Sequence, residues 1–157
     1  MAVNTKKVEG RRKVRYASLD EFLQEAERLS QADVRMLGNW SKAQIYGHLA
    51  RTMDGSIDGM NFLLPAPARL LMSLLMKRKF LYGALPAGFK SAPEFVPEDT
   101  SLEDELAGLS KAITRQQEEP DRVLHPAFGN IGKEGWISFH LRHAELHMSF
   151  LVEAESK

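Results

Sequence analysis

Apolar positions along this chain recur mostly every three or four residues, the spacing of one helix face, and nowhere alternate with polar ones over a bounded stretch. Leu19, Phe22, Leu23, Ala26 and Leu29 form the first stripe. Ser18-x-x-Glu21 opens it as a capping box, in which the serine oxygen and the glutamate carboxylate each satisfy an orphan backbone N–H. Gly38-Asn39-Trp40 interrupts the pattern, and Ser41-x-x-Gln44 caps a second helix whose apolar stripe is Ile45, Leu49 and Met53. On that helix Gln44, His48, Arg51 and Thr52 share the adjoining face, so His48 borders the core. Thr100-x-x-Glu103 predicts the start of another helix, with Leu102, Leu106, Leu109, Ala112 and Ile113 buried and Pro120 as its stop. A last helix is expected from about Lys133 to Glu153.

The stretch from Met60 to Tyr82 is the most apolar in the chain. A membrane-spanning helix needs about 20 uninterrupted apolar residues. Pro65, Pro67, Arg69 and the cluster Lys77-Arg78-Lys79 break the run too early for that. A helix from about Ala68 to Tyr82 carries only a thin polar stripe of Arg69, Ser73 and Lys77. It is therefore expected in the core, or, as a sharper reading, against a second subunit in a homodimer formed through residues 60–82. Attachment to a membrane surface ranks behind both. Residues 83–99, with Pro86, Pro93 and Pro97 and no helical period, read as a long connection. His125-Pro126-Ala127-Phe128-Gly129 reads as a turn. The fold class is all-α, and four main helices with one long connection point to a four-helix bundle with a crossover.

A chain of 157 residues fits one domain, here residues 18–157, preceded by a basic arm over residues 1–17 that reads as a solvated tail. With 43% hydrophobic and 27% charged residues the composition is that of an ordinary globular protein. Lysine plus arginine equals aspartate plus glutamate at 21 each, which gives no overall field for nucleic acid or an anionic membrane, and neither partner is expected. The absence of cysteine removes disulfides, thiolate ligands and a cysteine nucleophile, and fits a cytoplasmic setting. Arg11-Arg12 lacks the hydrophobic run that an export signal requires.

Candidate chemistry lies with the histidines. Three of the five fall between Trp136 and Phe150. His143 and His147, four apart, stack on one helical face and can grip one ion; His140 lies on nearly the same face. His48 can add a third ligand if its helix faces the last one. The alternative is a polar seam, each imidazole bonded to a carbonyl or carboxylate. Glu145, Gln44 and Asp54 are candidates for orienting an imidazole, and Arg51 or Arg142 for receiving an anionic substrate, although each also fits a solvated helix face. Trp40 and Trp136 suit either a pocket mouth or packing between helices.

Asn39-Trp40-Ser41-x-x-Gln44-Ile45-x-x-His48-Leu49, the loop Gly88-Phe89-Lys90, His125-Pro126-x-Phe128-Gly129, Trp136 and His143-Ala144-Glu145-Leu146-His147 together resemble a branch of the DinB-like proteins. The match runs from the basic arm to the last helix. That resemblance implies a four-helix bundle with a divalent metal (zinc, nickel, iron or manganese) held by His48, His143 and His147. Leu146 departs from the superfamily's commoner His-x-x-His-His, and His140 matches no ligand position, which leaves it as a neighbouring proton carrier or core residue. Similar proteins include thiol-dependent transferases and isomerases, so the resemblance implies a small-molecule substrate, with a low-molecular-weight thiol as one co-substrate. Thiol transfer or small-molecule hydrolysis at an open metal site is the expected function. A non-catalytic metal-binding or self-associating module is the alternative.

Overall fold

The computed structural model describes residues 2–96, 98 and 100–154. It is mostly helical: α1 (Leu19–Gln31), α2 (Lys42–Asp58), α3 (Ala66–Tyr82), α4 (Leu102–Glu118) and α5 (Gly132–Met148), with short 3-10 turns at Thr5–Lys7 and Pro93–Phe95. Two three-residue strands, β1 (Val34–Met36) and β2 (Leu151–Glu153), pair antiparallel with Met36 opposite Leu151. The sequence expectation of helix up to Glu153 is therefore corrected. The chain leaves α5 after Met148 and its last apolar residues pair with the segment between α1 and α2, too short a strand for periodicity to reveal.

The caps explain where α1 and α2 begin. The Ser18 side chain accepts from the Glu21 backbone N–H, and the Glu21 carboxylate accepts from Ala17 N at 2.7 Å. Ser41 and Gln44 close a complete capping box on α2. α4 starts one residue later than its sequence signal, because Ser101 accepts from Asp104 N while the Thr100 hydroxyl bonds Glu105.

One core joins α1, α2, α4 and α5, built on Phe22, Leu29, Tyr46, Leu49, Met53, Leu109, Ile113 and Met148. Burying each large apolar side chain contributes about 1.5–3 kcal/mol. α2 lies deepest, its contacts with α4 being the most extensive between any two elements. Gly47 allows that approach: a Cβ there would run into the carboxylate of Glu105 and the guanidinium of Arg51. Beneath α5, His140 Nε2 meets Ser56 Oγ at 3.0 Å, and Gln116 Nε2 donates to the same oxygen at 2.9 Å.

Two expectations change. α3 is not in the core: it packs on α5, buries only Leu81, and leaves Leu70, Leu71, Leu74 and Leu75 between 58% and 76% exposed. Its apolar residues run almost all the way round, so pattern alone could not say which side is covered. The basic arm is not a solvated tail. Arg12 N donates to Ser149 O at 3.0 Å, Tyr16 N to the Glu145 carboxylate at 2.8 Å, and Tyr16 itself is buried. Arm residues beside α5 thus gain hydrogen bonds that a charge count does not anticipate.

Candidate metal centre

His48 stands in the middle of α2, whose phase is set by the Ser41 and Gln44 box; His143 and His147 stand one turn apart near the end of α5. These three side chains converge, each able to offer one ligand atom, with those atoms within 4.8 Å of one another. His48 Nε2 lies 3.1 Å from His143 Nε2, which lies 3.0 Å from His147 Nε2. Ligand nitrogens around a tetrahedral zinc ion are roughly 3.3 Å apart, given bonds of 2.0–2.1 Å.

The tautomer of His48 follows from its other partner. Its Nδ1 sits 2.6 Å from the backbone carbonyl of Phe95. A carbonyl only accepts, so the ring carries its proton on Nδ1 and turns a bare Nε2 lone pair toward His143. A proton on His143 Nε2 can bond one of its two neighbours and leaves the other lone pair opposed. A divalent cation satisfies all three nitrogens at once, so this donor set fits a metal ion.

Electrostatics keep the cluster neutral and ready to ligate. Burial pushes the His48 pKa down, the bond to the Phe95 carbonyl works against this, and the charge of Arg51 lowers it further. Burial, then the neighbouring imidazoles of His147, His48 and His140, hold His143 far below its ordinary value. Burial likewise dominates at His147, with His48 and Arg11 adding to the effect.

The histidines open onto a cavity of about 640 Å³. Trp40 stacks on the His147 ring at 5.4 Å and 10° and lies 4.8 Å from the His48 ring. It is held there because β1 pairs with β2 just beyond α5, and Leu37 N donates to Phe150 O at 3.0 Å. Phe139, Phe150 and Leu146 line the cavity from α5 and the residues after it; Phe80, Phe89 and Phe95 line it from α3 and the connection. Leu146, beside the His147 ligand position, thus supplies apolar wall. The arm forms another wall: Thr5 lines the cavity, and Asn39 exchanges hydrogen bonds with Val3 N at 2.6 Å and Val3 O at 2.9 Å.

Other candidates take up places around this centre. Gln44 accepts from Ser41 N within the capping box. Arg51 pairs with Glu105 at 3.3 Å, on the side of α2 toward α4. Asp54 pairs with Arg115 at 2.7 Å. Arg142 donates to Tyr16 O at 2.8 Å and pairs with Glu145 at 2.7 Å, and these two tie the arm to α5. His140 lies against Ser56 and stacks on Trp136, whose Nε1 donates to Val123 O. His125 accepts at Nδ1 from Ala127 N and Phe128 N and so closes its own turn. The Phe95 carbonyl, the wall formed by the arm and the stacking of Trp40 on His147 went unread in the sequence; the only signals were the Gly-Phe-Lys loop and Trp40 directly before the cap.

Comparisons with curated proteins and with solved structures gave no match. A family model, described as a protein of unknown function (DUF1569), matches residues 8–154, which include all three converging histidines and the cavity's aromatic walls. The chain therefore belongs to the DUF1569 family.

Proposed function

We propose that this chain is a DinB-like, metal-dependent enzyme acting on a small molecule, with a divalent ion held by His48, His143 and His147. The observation that carries this reading is the fixed His48 tautomer, which aims an unprotonated Nε2 at the Nε2 of His143, itself 3.0 Å from that of His147. Packing of α1, α2, α4 and α5 around one core supports a four-helix bundle with a crossover, α3 lying in the connection. Three neutral ligands leave coordination positions free, as catalytic sites require. A bound divalent ion there supplies Lewis-acid activation of water or of an incoming thiol. The chain's own residues do the rest: Phe95 orients His48, Trp40 packs flat against His147, and the aromatic walls limit water around the reacting group. A cytoplasmic setting suits a sequence without cysteine, where any thiol comes from outside the chain.

Zinc titration of metal-free protein tests this, with Trp40 as reporter because its ring lies on His147. One equivalent of zinc is expected to change tryptophan fluorescence in the wild type and in Trp136→Phe, and not in His147→Ala. Identical responses in wild type and His147→Ala contradict the assignment.

A second reading concerns self-association, favoured by the exposure of Leu70, Leu71, Leu74 and Leu75 on α3. Their three- and four-residue spacing makes one apolar stripe, which ends one turn later at the exposed Arg78 and Lys79. Phe62 and Leu63, in the segment leading into α3, are exposed as well, and large apolar side chains left bare in this way mark interaction surfaces. A second copy of this chain, its α3 laid against the first, covers that face.

A further inference from the structure

The walls of the cavity and the charges at its mouth specify a class of ligand. Its volume of about 640 Å³ falls within the roughly 300–1,000 Å³ of sites that enclose small organic molecules. Aromatic rings dominate the walls, and among the described residues lining it there is no aspartate or glutamate. Charge at the mouth is positive. Lys90 lines the cavity, the Lys6 side chain packs on Gly88 beside it, and the Arg11 guanidinium lies 4.4 Å above the ring of Phe150. The Glu145 carboxylate, the acid on α5 nearest in sequence to the ligands, is occupied by Tyr16 N and Arg142. Three neutral imidazoles leave the full charge of a divalent ion uncompensated in apolar surroundings, which favours an anion beside it.

We propose that the site takes a small organic anion with an apolar body, of the size of an eight-carbon chain or a substituted aromatic ring. Its anionic head sits at His48, His143 and His147, and its body lies among Trp40, Phe139 and Phe89. The placement of the head rests on the metal-centre reading; the preference for an apolar anion rests on the cavity alone. A strongly hydrophilic co-substrate leaves these aromatic walls unfilled, whereas each methylene buried against them adds affinity. Lys6, Arg11 and Lys90 steer the anion to the mouth and disfavour cations of the same shape.

Isothermal titration calorimetry on the full chain, zinc-loaded and metal-free, with octanoate, acetate and octylammonium as probes, tests the proposal. Octanoate is expected to bind at least about tenfold more tightly than either other probe in both forms. In cobalt(II)-loaded protein it is expected to alter the visible absorption of the metal. Phe89→Glu, a change at an exposed rim position, is expected to weaken octanoate about tenfold while leaving zinc stoichiometry unchanged. Acetate or octylammonium binding as tightly as octanoate overturns the ligand class, even in protein that loads zinc fully. A protein that takes no metal yet prefers octanoate over both probes upholds the ligand class and removes the metal reading. A cobalt spectrum unmoved by saturating octanoate overturns the placement of the head.

Discussion

His48 gives its Nδ1 proton to the backbone carbonyl of Phe95, 2.6 Å away, and this bond between α2 and the long connection decides which nitrogen faces His143. Asparagine places an amide N–H close to where histidine carries Nδ1 and has nothing at the position of Nε2. His48→Asn is therefore expected to keep the bond to Phe95 and lose metal, with affinity down by more than the 10–100-fold typical of a supporting partner. His48→Ala leaves the carbonyl unpaired as well, and is expected to lower metal-free stability by about 2–3 kcal/mol relative to wild type. Urea denaturation of metal-free protein beside zinc titration separates the two effects.

Glu145 is buried and takes hydrogen bonds from Tyr16 N and Arg142, joining the arm to α5. Glu145→Ala leaves the Arg142 guanidinium, itself 5% exposed, without its counter-charge. A loss of about 3–5 kcal/mol is expected in urea denaturation, with faster proteolytic cleavage before residue 17.

Burial pushes the pKa of His125 down to about 4 and that of His140 to about 3, the nearby Arg122 charge adding to the effect at His140. Neither belongs to the converging trio, so replacing one of them changes the pH profile of stability while leaving the candidate ligands in place. Above pH 6.5 both are neutral folded or unfolded and cost nothing. Below it the unfolded chain takes up protons that the folded one refuses, so stability falls as pH drops from about 6.5 toward 4. The slope approaches about 1.4 kcal/mol per pH unit for each histidine. Replacing His125 with Gln is expected to flatten the profile between pH 6 and 4; an unchanged slope contradicts the account.

The exposed leucines of α3 have a separate consequence. Sedimentation is expected to find a dimer in the wild type and a monomer in Leu71→Glu/Leu75→Glu. The thermal midpoint of the monomer should stay within a few degrees, because these side chains lie outside the core. A wild-type monomer at high concentration contradicts the role given to this face.

Legibility in the sequence followed the range of the interaction. His143 and His147 share one helix, so their spacing alone aligned them; the phase of His48 came from a capping box three residues long in reach. The helical class came from the same short-range periodicity. What pairs across the fold left little trace. The Phe95 carbonyl is a main-chain atom that every residue has, so no composition signal marks it. Arg11 and Arg12 read as free charge until their places over Phe150 and beside Glu25 are known. α3 shows the limit of pattern most plainly. With leucines on one side and Leu81, Met72 and Met76 on others, its sequence does not distinguish a covered face from a bare one.

Metal content of freshly purified protein, measured by elemental analysis for wild type beside His143→Ala, tests the central claim most directly. His143 Nε2 lies between the other two, at 3.1 Å from His48 and 3.0 Å from His147. About one divalent ion per chain is expected in the wild type and about none in the folded variant. Wild-type protein that holds no zinc, nickel, iron or manganese even after reconstitution, or a His143→Ala variant that holds as much as wild type, contradicts the metal centre.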